Sequence, residues 1–282
     1  MRKVASGVYM ENAYPGVTLG ALVLADGLVM IDAPLNPDDA RAWQQTLREL
    51  DGGPGRLLIN LDSHPDRTIG ARFMESAIMA QEATASAFTQ RPTIFKAQIT
   101  DSGAEWENST GLSGIRWQPP NLVFTDNARI HWDDSEVIVE HHPGPEKGAC
   151  WVVLPQQKVV FVGDTVVTKQ PPFLAEADLE GWVEALEQLL SKGFTGFKII
   201  SGRGGQVGEK DVRNMMRFIK NADKQLDRIA KRKASPHATE KLIEKLLATI
   251  DSPAKYRNFY IERLRYGLYH YYAKNHYSSS SR

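Results

Sequence analysis

Short apolar runs closed by turn residues alternate with helical patterns over the first two thirds of the chain, and the last third is helical throughout. Residues 4–10 and 17–24 are β-rich, and 28–34 is an apolar run ending in Asp32-Ala33-Pro34. Asp26-Gly27 between the second and third runs predicts a hairpin. Asn36-Pro37 then supplies an N-cap and a first-turn proline for a helix presenting Ala40, Trp43, Leu47 and Leu50. Arg56-Leu57-Leu58-Ile59, set off by Gly52, Gly53, Pro54 and Gly55, reads as a buried strand. Behind it, Ile69, Phe73 and Met74 recur at helical spacing. Further strands are expected at 77–80, 128–132, 136–141, 149–154, 159–162 and 197–201, with a helix at 180–190. Residues 82–118 are irregular and rich in Gly and Ser, as in a lid or wall over a site. Helices are expected at 209–233, 239–250 and 254–276, the last rich in tyrosine.

Between the strand at 56–59 and the helix behind it lies Asn60-Leu61-Asp62-Ser63-His64-Pro65-Asp66-Arg67. Acids, an imidazole and a guanidinium gather here where a strand gives way to a helix, a position at which α/β layers collect ligands. Three other strand ends carry chemistry. Glu140-His141-His142-Pro143-Gly144-Pro145-Glu146-Lys147-Gly148 separates two strands, Gly163-Asp164 ends another, and Gly202-Arg203-Gly204 follows the strand at 197–201.

Taken in order, these four stretches resemble the signatures of the metallo-β-lactamase superfamily. The octet resembles Asn-Thr-His-x-His-x-Asp-His, matching at Asn60, His64 and Asp66, with Asp62 in place of the first metal-binding His and Arg67 in place of the third. Pro143, Gly144 and Gly148 match Pro-Gly-His-Thr-x-Gly, with Pro145 replacing its ligand His. Gly163-Asp164 resembles the strand end whose carboxylate bridges two metals. Gly202 and Gly204 flank Arg203 where the last signature has His. The resemblance implies an α+β fold, an αββα sandwich of two mixed β-sheets flanked by helices, with the site along one edge. The resemblance assigns residues 1–207 to the family domain; the helical patterns after it predict a C-terminal helical extension at 208–277, and the serine-rich end a disordered tail at 278–282.

The resemblance also implies a reduced metal site. Asp62, His64 and the shared Asp164 would remain for a first ion, with His142 the better of two substitutes for the missing imidazole. Asp66 and Asp164 are the candidates for catalysis. A guanidinium has no lone pair to give and repels a cation. Arg67 and Arg203 are therefore expected to fill the second ion's place, pairing with Asp66 and Asp164, or to bind substrate. Two readings stay open. One is an atypical hydrolase of a small anionic ester, lactone or phosphate with at most one divalent ion; oxygen-rich ligation suits Mn, Fe or Mg as well as Zn. The other is a metal-free, non-catalytic binding or scaffold protein with an Arg–carboxylate network.

Composition narrows the partners. Of 282 residues, 24% are charged and the formal net charge is zero, which gives no reason to expect nucleic acid or an anionic membrane as partner. No apolar run reaches the roughly 18 residues of a membrane span. Cys150, the one cysteine, lies in an apolar run and reads as a core residue. With no internal disulfide, and with residues 1–7 lacking the apolar core of a signal peptide, a cytoplasmic location is expected. Tyr256, Tyr260, Tyr266, Tyr269, Tyr271 and Tyr272 suggest a packing face, on the chain's own core or across a homodimer interface. Arg257, Arg263 and Arg265 on the same helix read as a solvated face.

Overall fold

The computed structural model describes residues 1–277; the tail expected at 278–282 lies outside them. Two sheets face one another. The first opens as an antiparallel meander, β1 (Arg2–Ala5), β2 (Val8–Glu11), β3 (Leu19–Leu24) and β4 (Gly27–Ile31). It continues with β5 (Gly55–Ile59), β6 (Ala77–Gln81) and β7 (Leu122–Phe124), each parallel to its predecessor. The second contains β8 (Asn127–Ile130), β9 (Val137–His141), β10 (Cys150–Leu154), β11 (Val159–Phe161), β12 (Lys198–Ser201) and β13 (Gly205–Val207), in the order β13-β12-β11-β10-β9-β8. The run at 4–10 is thus two strands, because Gly7 takes φ 66° and turns the chain between them.

Alternation along the strands sorts side chains into layers. Val8, Met10, Val29, Ile31, Leu57 and Ile59 of the first sheet meet Val137, Val139, Cys150, Val152, Phe161 and Ile200 of the second, forming the core between sheets. Cys150 is therefore a small core residue. Outside the first sheet, α1 (Pro37–Arg48) lays Ala40, Trp43 and Leu47 on Ala21, Leu28, Met30 and Leu58. Outside the second lie α4 (Leu179–Leu189), α5 (Glu209–Lys231), α6 (Ile243–Leu247) and α7 (Arg257–Tyr272). Their apolar stripes join Trp151, Val153, Val160 and Ile199 in one cluster. Every residue of β10 is buried because both faces of its sheet are covered. This is the expected α+β sandwich of two mixed sheets with a C-terminal helical region.

Tyr260, Leu264, Leu268, Tyr271 and Tyr272 of α7 belong to that same cluster. The tyrosine-rich face is spent largely on the chain's own core. Arg263 corrects the reading of a solvated basic face, since it is 1% exposed. It falls on the inward stripe, one helical turn from both Tyr260 and Gly267 and next to Leu264. The irregular stretch holds α3 (Glu82–Gln90) and an aromatic cluster of Phe88, Phe95, Trp106 and Trp117 packed edge to face. None of the helices among the described residues is long and apolar enough to cross a membrane.

Candidate functional site

The four strand ends converge on one edge of the sandwich. The octet leaves β5 and enters the single-turn helix α2 (Pro65–Thr68), with Pro65 as its first residue and His64 as its cap. Asp32 leaves the parallel neighbour β4, Gly163-Asp164 follows β11 and Arg203 follows β12.

Arg67 is at the centre and has no solvent exposure. Its Nη1 donates to Asp32 at 3.1 Å, its Nη2 donates to Oδ1 of Asp164, and its Nε faces Asp62 at 3.1 Å. The Nε contact is an ion pair without hydrogen-bond alignment. Arg203 donates Nε–H to Asp164 Oδ2 at 2.8 Å and Nη1–H to Asp66 at 2.9 Å. The planar fork of arginine suits such bridging of several carboxylates. Glycines leave room for it: a Cβ on Gly202 would lie 2.8 Å from Asp164 Oδ1 and 3.0 Å from Arg67 Nη1.

Backbone amides fix the acids as well. Asp66 accepts the N–H groups of Glu105 (3.2 Å) and Trp106 (2.9 Å), Asp62 that of His64 (2.9 Å), and Asp32 that of Leu61 (2.9 Å). Asp32 sits in the left-handed region at φ 55°. For a non-glycine residue that costs about 1–2 kcal/mol, offset by its two side-chain partners.

The acids divide by charge state. Burial pushes all four upward. In Asp66 and Asp164 the guanidiniums overcome it, Arg203 foremost, and hold both below the ordinary carboxylate range. In Asp32 burial outweighs Arg67 and raises the carboxyl to about 7; burial also raises Asp62, against the pull of Arg67. Two firmly ionised carboxylates thus match two guanidiniums. His64 Nδ1 lies 3.7 Å from Asp66 Oδ2, a separation that suggests an ion pair. Yet the same nitrogen accepts the Asp66 N–H at 3.2 Å and faces Arg203 Nη2 at 3.1 Å. Burial and Arg203 lower the imidazole to about 3 against the attraction of Asp66, so His64 is neutral with its proton on Nε2.

Above this floor opens a cleft of about 860 Å³, on whose surface Asp62, His64 and Asp164 appear. Arg67, Arg203 and Asp66 lie beneath it, and the guanidiniums that line it are Arg91 and Arg263. On one wall Ser63 donates its Oγ–H and, at 3.0 Å, its N–H to Glu146, while Arg91 holds the Ser63 carbonyl at 2.7 Å. Burial and the charge of Asp62 raise Glu146 to about 7. Phe173 covers the floor, its ring 4.4 Å from His64 and 4.7 Å from the Arg203 guanidinium. His142 stands elsewhere, stacked on Trp151 at 3.6 Å with Nε2 3.3 Å from Glu140. Sequence reasoning gave no role to Ser63, Arg91, Glu105, Glu146, Phe173 or Arg263. The signals available were the place of Glu146 beside Pro145 and the helical register of Arg263.

A metal does not fit this donor set. Both oxygens of Asp164 and of Asp66 and Nδ1 of His64 are engaged by N–H groups, and two fixed positive charges stand among them. Among the described residues no three His, Cys, Asp or Glu side chains form a group able to hold a metal ion.

Two facing mixed sheets with helices outside and the polar loops gathered along one edge define the αββα sandwich class. The metallo-beta-lactamase superfamily model matches residues 16–193, and the chain belongs to that superfamily. A search of curated proteins returns no match. Among solved structures, a metallo-beta-lactamase from Pontibacter korlensis is 19% identical over 78% of this chain and 98% of its own, with TM-score 0.59. The stereoselective inverting sec-alkylsulfatase of a Pseudomonas species is 14% identical over 97% of this chain, with TM-score 0.64; this chain matches 49% of its length. A metallo-beta-lactamase family protein from Thermus thermophilus is 17% identical over 95% of this chain and 93% of its own, with TM-score 0.62. At these identities the likeness concerns the fold. With the last two it extends into the C-terminal helices.

Proposed function

We propose that the protein binds a small molecule in this cleft without an ion, the arginine–carboxylate floor standing where the superfamily holds its metals. One observation carries the reading: Arg67 and Arg203 together engage Asp32, Asp62, Asp66 and Asp164, so the acids that would draw in cations already have them. Buried carboxylates require such partners. The competing hydrolase would seat one ion on Asp62, His64 and Asp164. That ion would have to displace Arg203 from Asp164 and from Nδ1 of His64, stranding a buried guanidinium. The superfamily scaffold and a sulfatase among the structural neighbours make small anionic esters and sulfates the first ligands to try.

Metal analysis decides between the two. Protein purified with no added metal, then incubated with Zn or Mn and desalted, is expected to carry no stoichiometric ion. One equivalent that disappears in Asp62→Ala or His64→Ala would overturn the proposal in favour of the hydrolase.

A further inference from the structure

Arg67 faces three carboxylates and Arg203 two, but Arg263 has none within hydrogen-bond reach among the described residues. It reaches the cleft wall from α7, in the C-terminal extension. Nε donates to the Gly103 carbonyl at 2.8 Å, and Nη1 to Gln170 Oε1 at 2.6 Å and the Pro171 carbonyl at 3.2 Å. Nη2 is buried with no hydrogen-bond partner; Glu105 Oε1 lies 3.8 Å away. Phe173 stacks against the guanidinium at 4.1 Å, with Phe259 and Tyr260 at 5.2 and 5.4 Å. Burial and the nearby Arg203 charge lower Arg263 to about 10, which leaves it protonated at neutral pH.

A buried cation held by neutral acceptors and ring faces is costly unless an anion joins it. Ser102, next to the Gly103 carbonyl that anchors Arg263, lines the same cleft. Its buried Oγ lies beside the Glu107 carboxylate without hydrogen-bond alignment, and that carboxylate takes the Ser102 backbone N–H at 3.1 Å. Two donors without aligned acceptors stand together on one wall. Glu105 is the adjacent carboxylate. Asp66 fixes its backbone N–H, and its side chain is 30% exposed.

We propose that Arg263 and Ser102 form the anion subsite of the cleft and take the carboxylate, sulfate or phosphate group of the ligand, with Glu105 withdrawing from Nη2 as that group arrives. The subsite rests on the reading of the cleft as a ligand site. It makes the C-terminal extension part of that site rather than an appendage.

The test is calorimetric titration of the full chain with sodium sulfate, inorganic phosphate, butyl sulfate and butyrate, at ionic strength held constant with chloride. Saturable binding is expected for at least one probe. It should weaken about tenfold or more in Arg263→Lys, which keeps the charge but loses the fork, as loss of a charge-assisted hydrogen bond implies. It should tighten in Glu105→Gln. Equal affinity for sulfate and butyl sulfate would mark a site for the free ion, and preference for butyl sulfate a site for an organic anion; both support the subsite. If Arg263→Lys does not fold, Ser102→Ala and Glu105→Gln carry the test, with weaker and tighter binding expected. Unchanged affinity in the folded variants, or no saturable binding in wild type and Glu105→Gln, would overturn it. Metal content of the same preparations separates this outcome from failure of the metal-free reading.

Discussion

Arg67 and Asp164 stand 97 residues apart in sequence, yet the Nη2 of one donates directly to the carboxylate of the other with neither side chain more than 4% exposed. This contact ties the end of β5 to the end of β11, one from each sheet, so the floor is also a clasp between the two halves of the sandwich. Removing one partner of a buried ion pair costs about 3–5 kcal/mol, because the other is left uncompensated. Arg67→Met is expected to lose that much stability, and Arg67→Lys most of it, since one ammonium cannot face three acids. Urea denaturation monitored by circular dichroism measures both. A loss under about 1 kcal/mol, typical of an exposed pair, would show that the network contributes little.

The pH dependence follows from the raised acids. Asp32 and Glu146 are both pushed to about 7, chiefly by burial. Between about pH 4 and 7 the unfolded chain has released these protons and the native chain keeps them. These two groups therefore make stability fall as pH rises through this window, with an upper limit near 1.4 kcal/mol per pH unit for each proton, while His64, neutral in the native chain down to about 3 but protonated in the unfolded chain below about 6.5, acts in the opposite sense over part of it. Glu146 is half-buried, and solvent screening reduces its share. Asp66 and Asp164, held low, act in the opposite sense only below the ordinary carboxylate range. Glu146→Gln retains an acceptor oxygen for Ser63 but cannot titrate, so its stability should decline less steeply from pH 4.5 to 7.5. An identical slope in wild type and variant would place the titration elsewhere.

The layers were legible in sequence because period-two and helical spacings record which face is buried. The site was legible where a residue type stood in a signature position: Asp62, His64, Asp66, Arg67, Asp164 and Arg203 do meet on one edge. The cleft walls were not. Arg91 and Phe173 come from segments without a motif, and Arg263 looked like one more surface charge. Its burial depends on the contact of α7 with the Gly103 and Pro171 loops, which no local spacing encodes. Arg67 itself went further than its motif position suggested, adding Asp32 and Asp62 to Asp164.

Packing around the floor gives a second stability test. A Cβ at Gly202 would lie 2.8 Å from Asp164 Oδ1, held by Arg67 Nη2, and 3.0 Å from Arg67 Nη1, which donates to Asp32. Neither is a free chain end able to step aside. Gly202→Ala is expected to destabilise by about 1–3 kcal/mol, the usual cost of overpacking. Combined with Arg67→Met, the second loss should be smaller than the sum, because the two share partners. Strict additivity in a double-mutant cycle would mean that the methyl group is accommodated elsewhere.

If guanidiniums have displaced ions, exchanging them for imidazoles should reverse the substitution. In the double variant Arg67→His, Arg203→His the floor loses two positive charges while Asp62, His64, Asp66 and Asp164 keep their places at the strand ends, the first three with their backbone restraints. It then offers three imidazoles and three carboxylates, a set that suits Zn. The apo form should be strongly destabilised by repulsion among the acids. Added Zn should restore folding, with a stabilisation that grows logarithmically with free ion concentration above its dissociation constant. Wild type under the same conditions should show no such dependence. Thermal unfolding across a Zn series, reversed by chelator, measures this directly. A double variant that folds equally well with and without Zn, and retains none after desalting, would show that these acids were never positioned as a latent metal centre.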